Sequence, residues 1–223
     1  MDTKKAFDYE QGQFICHLYA ELGTEICDTL DELSEQLMSQ QTSNPILKEW
    51  KPIQTTHVRS DSWHVTLLRG HRAVHRHQIE ALVSLIKTEC DSLEPFNICL
   101  DVLDVFSNFE KTKQFLVIAE RHSSAPNITH SALKQALRTS IDKFAIKLTD
   151  EDETNDTRAH CSLLTRDLNQ TSIEYSETSA KESLQLVEEI CLKCMERVPI
   201  CVTRIDRIHI KIGNHVYDIK LGV

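Results

Sequence analysis

The stretch His64-Val65-Thr66-Leu67-Leu68 has a near-copy later in the chain, His160-Cys161-Ser162-Leu163-Leu164. In each copy a hydroxyl residue follows a histidine by two positions, and the residues between and after them are small or apolar. Residues i and i+2 of a β-strand project to the same face, so each imidazole is expected beside a hydroxyl group. The alternate residues are then expected to face a hydrophobic core. The two stretches therefore predict two strands with the same alternation of a polar face and a core face.

The elements around the two stretches repeat in the same order. Each half reads strand, helix, motif strand, helix and strand, and the halves begin at Phe14 and Phe115. The first helix is predicted to be capped by Thr24 and to carry an apolar stripe at helical spacing. This order predicts an α+β fold with two lobes related by a pseudo-two-fold axis and the motif strands facing a shared cleft. Residues 1–107 are predicted to form the first lobe and residues 108–223 the second, within one globular unit.

Composition limits the classes of function. The 223 residues carry a formal charge of −9, which argues against a protein that coats long nucleic acid such as DNA. A pocket that grips a few nucleotides remains compatible with this charge if a local basic rim is present. Arginines flank both motifs and are candidates for such a rim: Arg69, Arg72, Arg76, Arg158 and Arg166. No apolar run approaches the roughly 20 residues that a membrane span needs, so no membrane partner is expected.

The paired motifs favour a particular chemistry. Two histidines and two hydroxyls around one pocket suit phosphodiester cleavage, in which one imidazole accepts a proton and the other donates one. His64 and His160 are the candidate catalytic residues. Thr66 and Ser162 are the candidate groups that hold phosphate oxygens.

Contacts to nucleotide bases and other phosphates are less determined by the sequence. Trp63 and Tyr175 are candidates to stack on a base, and Arg69 and Arg158 are candidates to contact a bound nucleotide chain. Tyr19 and Phe106 fit either base stacking or core packing, with core packing favoured. The arginines fit either a binding role or ordinary solvated surface charge.

Two spacings are compatible with metal binding but lack further ligands. Cys191 and Cys194 lie within an apolar helical pattern, which favours buried thiols, and His71 and His75 have no third ligand at a familiar spacing. We expect no metal and no cofactor.

Several further segments carry a family resemblance. Together with the two motifs, the chain resembles the U6 snRNA phosphodiesterases, the Usb family of the 2H phosphoesterase superfamily. The segments similar to that family, besides the motifs, are Gly12–Tyr19, Asn108–Leu116 and the C-terminal Lys211-Ile212-Gly213-Asn214 followed by Val216-Tyr217. The acidic lead-in at residues 151–159 departs from the family pattern, which usually has aromatics and proline there.

The resemblance implies a two-lobed 2H phosphoesterase fold, with antiparallel sheets lining a central cleft and helices outside. It also implies a monomeric, nuclear 3′-to-5′ exoribonuclease whose partner is the single-stranded 3′ end of U6 snRNA. The shortened RNA would end in a 2′,3′-cyclic phosphate or a monophosphate. Two alternatives stay open: another 2H-type cyclic phosphodiesterase or RNA end-processing enzyme, and an inactive module that binds nucleotide or RNA.

Overall fold

The computed structural model of the chain describes residues 13–53, 63–68, 72–108, 112–121, 128–144, 146–147, 158–168, 181–182, 184–190 and 199–222. These residues form an α+β fold, as the order of elements predicts. The described strands are β1 (Gln13–Glu21), β2 (Lys51–Pro52), β3 (His64–Leu68), β4 (Arg72–His75), β5 (Phe96–Ser107), β6 (Lys113–Glu120), β7 (Ile146–Lys147), β8 (His160–Asp167), β9 (Cys201–Ile205), β10 (Arg207–Ile212) and β11 (His215–Lys220). The described helices are α1 (Thr24–Ser39), α2 (Ile79–Asp91) and α3 (Ile128–Phe144), with 3₁₀ turns at Gln40–Thr42, Pro45–Glu49 and Arg76–Gln78. Residues 181–182 and 184–190 are also helical.

Each long helix buries one apolar stripe, as its sequence spacing predicts. The buried residues recur every three or four positions: Leu30, Leu33 and Leu37 of α1, Ile79, Leu82, Ile86 and Cys90 of α2, and Leu133, Leu137 and Ile141 of α3. Each fully buried leucine stabilises the fold by roughly 1.5–3 kcal/mol relative to an exposed one. No helix within the described ranges is both long enough and apolar enough to cross a membrane.

The start of α1 differs by one residue from the prediction. Gly23, not Thr24, is the N-cap, and Thr24 is the first helical residue. The extended backbone of Gly23 lets its carbonyl oxygen accept hydrogen bonds from the amides of Ile26 and Cys27, both at 3.0 Å. The first turn therefore begins from a main-chain carbonyl, without a side-chain cap.

The strands form one largely antiparallel sheet with the two motif strands at its centre. The order is β11-β10-β1-β3-β8-β6-β5-β9, with β2 beside β8, β4 beside β1 and β7 beside β4. β3 and β8 are hydrogen-bonded neighbours, with Thr66 in register with His160. The two motif strands therefore lie side by side and antiparallel. The two motifs occupy equivalent positions on either side of the centre of the sheet.

The strands that flank the two motif strands are also equivalent to each other. Tyr19 of β1 pairs with Thr66, and Val117 of β6 pairs with Ser162, so β1 and β6 are equivalent strands. β5 then continues the sheet beyond β6, and β10 and β11 continue it beyond β1. Each half of the sheet thus takes strands from both sides of residue 108. The proposed lobe limits at residues 107 and 108 stay a prediction.

The two faces of the sheet differ in their neighbours. Val65 and Leu67 of β3 and Cys161 and Leu163 of β8 are buried in the same hydrophobic core as the stripes of α1, α2 and α3. The other face carries the motif histidines and hydroxyls. We call it the open face, defined by His64, Thr66, His160, Ser162 and their register partners.

Candidate active site

His64 and Thr66 occupy alternate positions of β3, as the sequence predicts. Both side chains are partly exposed on the open face, whereas Val65 and Leu67 between and after them are buried in the core. The pleat of the strand is sufficient to explain this separation, because successive side chains point to opposite faces.

His160 and Ser162 repeat this arrangement on β8, with one difference. Cys161 and Leu163 are buried in the core and Ser162 is partly exposed. His160, however, is only 5% exposed. The ring of Phe106 packs against its imidazole at a centroid distance of 4.8 Å and an interplanar angle of 72°. The aromatic ring therefore shields one side of His160, and His64 is the more accessible histidine.

A main-chain hydrogen bond fixes the orientation of His160. Its Nδ1 lies 3.0 Å from the carbonyl oxygen of Arg158. A carbonyl oxygen only accepts, so Nδ1 carries the hydrogen and donates it. Nε2 is then the nitrogen that can receive or release a proton, and this main-chain bond survives in both protonation states.

The Arg158 side chain is anchored beside the same histidine. Its guanidinium forms an ion pair with Asp104 of β5 and lies over the Phe106 ring, 5.3 Å from the ring centroid. Phe106 therefore contacts both Arg158 and His160. Arg158 was predicted as an RNA contact from the sequence. That role stays a prediction, and the structure assigns its side chain these two protein partners.

Aromatic and imidazole rings surround His64. The Tyr19 ring meets it edge-on at a centroid distance of 5.2 Å, and the His17 ring at 5.6 Å. Tyr19 also stacks on His209 of β10 at 5.1 Å. Both Tyr19 and Phe106 are buried, and each contacts one motif histidine. They shape the site from within the protein, where the sequence favoured core packing.

Electrostatics keep two imidazoles uncharged at neutral pH. Burial and the positive charge of Lys211 lower the pKa of His64 from its ordinary value of 6.5. Burial lowers the pKa of His17 to about 3, assisted by repulsion from the protonated forms of His64 and His160 and from Lys211. Neutral His64 is therefore ready to accept a proton.

One row of residues crosses five strands of the open face. Asp218, His209, Tyr19, Thr66 and His160 are successive register partners from β11 to β8. Register partners on one face have Cβ atoms roughly 4.5–5.5 Å apart. The row therefore connects the motif strands to a further polar pair, in which Nδ1 of buried His209 lies 2.7 Å from Asp218 Oδ1.

Sequence reasoning missed three residues near the motifs, His17, His209 and Lys211. They alternate with apolar residues on β1 and β10, which is the available sequence signal, but the family-like segments on these strands assign no role to the three side chains. Their relation to His64 depends on the pairing of β1 with β3 and β10, and that pairing joins distant parts of the chain.

The remaining predicted contacts are separated from the motifs or lie outside the described residues. Trp63 packs against the core and donates from Nε1 to Asp31 Oδ1 of α1 at 2.8 Å, so its side chain lies with the helix layer. Arg69 and Tyr175 are outside the described residues, and their roles stay predictions.

Arg166 does not form part of a basic rim. It is 3% exposed, donates to Gln114 Oε1, and lies over the Trp50 ring.

The candidate metal ligands from the sequence do not converge in the described part of the chain. His75 stacks on His77 at 5.5 Å, whereas His71, Cys191 and Cys194 lie outside the described residues. Among the residues that the structure describes, no group of three or more histidine, cysteine or acidic side chains is arranged to hold a metal ion.

Solved structures share this fold. Usb1 from Kluyveromyces marxianus is 13% identical with a TM-score of 0.59, and the alignment covers 94% of this chain and 98% of that one. A structure of the same yeast protein with uridine monophosphate gives 15% identity, a TM-score of 0.60 and the same coverages. TT0787 of Thermus thermophilus gives 14% identity, a TM-score of 0.53, and coverages of 93% and 97%. These similarities confirm the predicted fold class.

Sequence comparison supplies the family. No curated protein matches the chain in sequence. A family model described as HVSL, an uncharacterised conserved protein, matches residues 2–220 and thus nearly the whole chain. The chain therefore belongs to the HVSL family, which is the Usb family that its sequence resembles.

Proposed function

We propose that the protein is an RNA phosphodiesterase that trims the 3′ oligouridine tail of U6 snRNA without a metal ion. The observation that carries this proposal is the register of Thr66 with His160, which joins the two motifs on one face of one sheet. Two histidines and two hydroxyls are then grouped on that face where the two motif strands meet. Family membership supports phosphodiester chemistry. The yeast Usb1 structure with uridine monophosphate supports a uridine nucleotide as the ligand.

The geometry favours one assignment of the two histidines. Neutral His64 accepts the proton of the 2′-hydroxyl on the nucleotide before the scissile phosphate, and the resulting oxygen attacks phosphorus. His160 donates a proton from Nε2 to the departing 5′-oxygen, while its Nδ1 stays bonded to the Arg158 carbonyl. Thr66 and Ser162 hold the non-bridging oxygens. The first product ends in a 2′,3′-cyclic phosphate, and entry of water with reversed roles gives a monophosphate.

A 5′-labelled oligouridine tests this function. The expected result is stepwise shortening from the 3′ end, with mass spectrometry showing a cyclic phosphate or monophosphate terminus. A matched substrate with a single 2′-deoxyuridine at the penultimate position lacks the attacking hydroxyl and should not be shortened. Shortening of both substrates at equal speed would contradict attack by the 2′-hydroxyl.

Another 2H-type activity is tested with the same preparation. An enzyme that acts mainly as a cyclic phosphodiesterase would hydrolyse 2′,3′-cyclic uridine monophosphate and leave oligouridine intact.

We propose a monomer that acts in the nucleus on the single-stranded end of U6 snRNA. Light scattering of the purified protein and imaging of the tagged full chain test these two statements.

The low exposure of His160 favours a second candidate function. A module that binds nucleotide without turnover would retain the fold and tolerate a shielded histidine. Calorimetry with uridine monophosphate, together with the oligouridine assay, separates the two. Binding without cleavage under all conditions would establish the module and remove the enzyme proposal.

A further inference from the structure

Two polar residues beside the motif histidines act as neither the acid nor the base of the proposed reaction. Lys211 of β10 and His17 of β1 are register partners, so both project to the open face. The His17 ring lies 5.6 Å from the His64 ring, centroid to centroid. Lys211 and His17 both retain some solvent exposure. The pair therefore borders the space that the scissile phosphate would occupy.

The distance across the sheet suits a neighbouring phosphate rather than the scissile one. β10 and β3 are separated by β1, and two strand spacings amount to roughly 10 Å. The positive charge of Lys211 nevertheless lowers the pKa of both His17 and His64, so the ammonium acts on this side of the site. A neighbouring phosphate that lies over β1 would contact Lys211 and His17, while the scissile phosphate lies between the motif strands.

The two side chains supply complementary groups for a phosphate. The Lys211 ammonium offers positive charge and three N–H donors, and uncharged His17 offers one N–H donor from its ring. A charge-assisted hydrogen bond to phosphate is stronger than a neutral one. His17, whose pKa is about 3, donates without adding a charge that would repel a protonated His160.

The nearby carboxylates of Asp218 and Glu21 contact His209. Asp218 accepts from His209 at 2.7 Å and lies 3.8 Å from the Arg207 guanidinium. Glu21 lies 3.8 Å from His209 Nε2 and is largely exposed. These acidic groups lie beside His209, two positions along β10 from Lys211. Lys211 is the lysine whose positive charge acts on His17 and His64 at the other end of this strand.

We propose that Lys211 and His17 form a second phosphate subsite, which binds a phosphate adjacent to the scissile one in an oligonucleotide. The proposal rests on the proposed function, because it places the first phosphate between the motif histidines. It names the preferred substrate class as RNA with at least two neighbouring phosphates, in preference to a dinucleoside monophosphate or a cyclic mononucleotide.

Short substrates with defined phosphates test the subsite. UpU has only the scissile phosphate, pUpU adds a 5′ phosphate and UpUp adds a 3′ phosphate. We expect one of the additions to raise kcat/KM about tenfold or more, the scale of one hydrogen bond to a charged group. We expect Lys211→Met to remove this preference and Lys211→Arg to retain it. Lys87→Met, an exposed lysine of α2 in the helix layer, is the control for loss of charge and should keep the preference.

Binding provides a readout that does not depend on turnover. Uridine 3′,5′-bisphosphate should bind about tenfold or more tightly than uridine monophosphate, and Lys211→Met or His17→Phe should abolish the difference. A wild-type enzyme that cleaves UpU with no gain from either added phosphate would overturn the subsite and leave the proposed function intact. A gain that survives Lys211→Met would overturn it as well. A protein that cleaves nothing but retains the Lys211-dependent binding would instead remove the proposed activity and keep the subsite.

Discussion

His160 donates a hydrogen bond from Nδ1 to the carbonyl oxygen of Arg158, with a separation of 3.0 Å. The side chain of the same arginine is held by Asp104 and by the Phe106 ring. The backbone that orients the histidine is therefore fixed by an ion pair to β5. This arrangement connects a carboxylate 56 positions earlier in the chain to the orientation of a candidate catalytic group.

Removing the Asp104 charge should weaken catalysis through the orientation of His160. In Asp104→Asn the guanidinium loses its anionic partner, and we expect kcat to fall about tenfold while KM changes little. Steady-state kinetics on oligouridine measure this split. Asp101→Asn is the matched control, because Asp101 lies on the same strand and pairs with Arg121 at 3.2 Å. Unchanged kcat with a folded Asp104→Asn protein would show that the ion pair does not position His160.

His17 should make the stability of the protein depend on pH. Its pKa is lowered from 6.5 to about 3 in the folded protein, by burial first and then by neighbouring charges. Below pH 6.5 the unfolded chain takes up this proton while the folded protein does not, so stability present above pH 6.5 is lost as the pH falls toward 3. We expect wild type to lose about 2 kcal/mol more stability than His17→Phe between pH 7 and pH 5. Urea unfolding at both pH values measures this difference, and equal losses would contradict a neutral His17 in the folded protein.

Lys211 should lower, in addition to burial, the pH at which His64 becomes active as a base. Its positive charge disfavours the imidazolium form of His64, so Lys211→Met should raise the pKa of His64. A higher pKa leaves less neutral His64 at low pH, and the ascending limb of the kcat/KM profile should move to higher pH. NMR titration of His64 measures the same shift without turnover. A limb that stays in place, or moves to lower pH, would contradict His64 as the base.

Chelation should leave the reaction unchanged. The proposed steps use only imidazole and hydroxyl groups of the chain and the 2′-hydroxyl of the RNA. We expect equal rates of oligouridine trimming with and without EDTA. A loss of activity that added zinc or magnesium restores would require a different chemistry.

The sequence predicted those features that depend on local periodicity. The alternation around His64 and His160 identified the faces of β3 and β8, and helical spacing identified the stripes of α1, α2 and α3. Residues brought together by distant pairing were not accessible in this way. The relation of Lys211 to His64 requires the order β10-β1-β3, which no local pattern contains.

Two arginines illustrate the same limit. Arg158 and Arg166 flank the second motif and are equivalent as charges in the sequence. In the structure Arg158 joins Asp104 and Phe106 at the site, whereas Arg166 is buried against Gln114 and Trp50. Both outcomes depend on partners more than 50 positions away along the chain.

The central claim is that His64 and His160 act on one phosphate as base and acid. It is tested most directly by a linkage in which sulfur replaces the 5′-oxygen, because a thiolate departs without needing a proton. On ordinary oligouridine, His64→Ala and His160→Ala should each cost about 100-fold in single-turnover rate. On the 5′-thio linkage, His160→Ala should recover to near the wild-type rate and His64→Ala should remain slow. Wild-type speed for either variant on ordinary RNA, or failure of the thio linkage to rescue His160→Ala, would contradict the account.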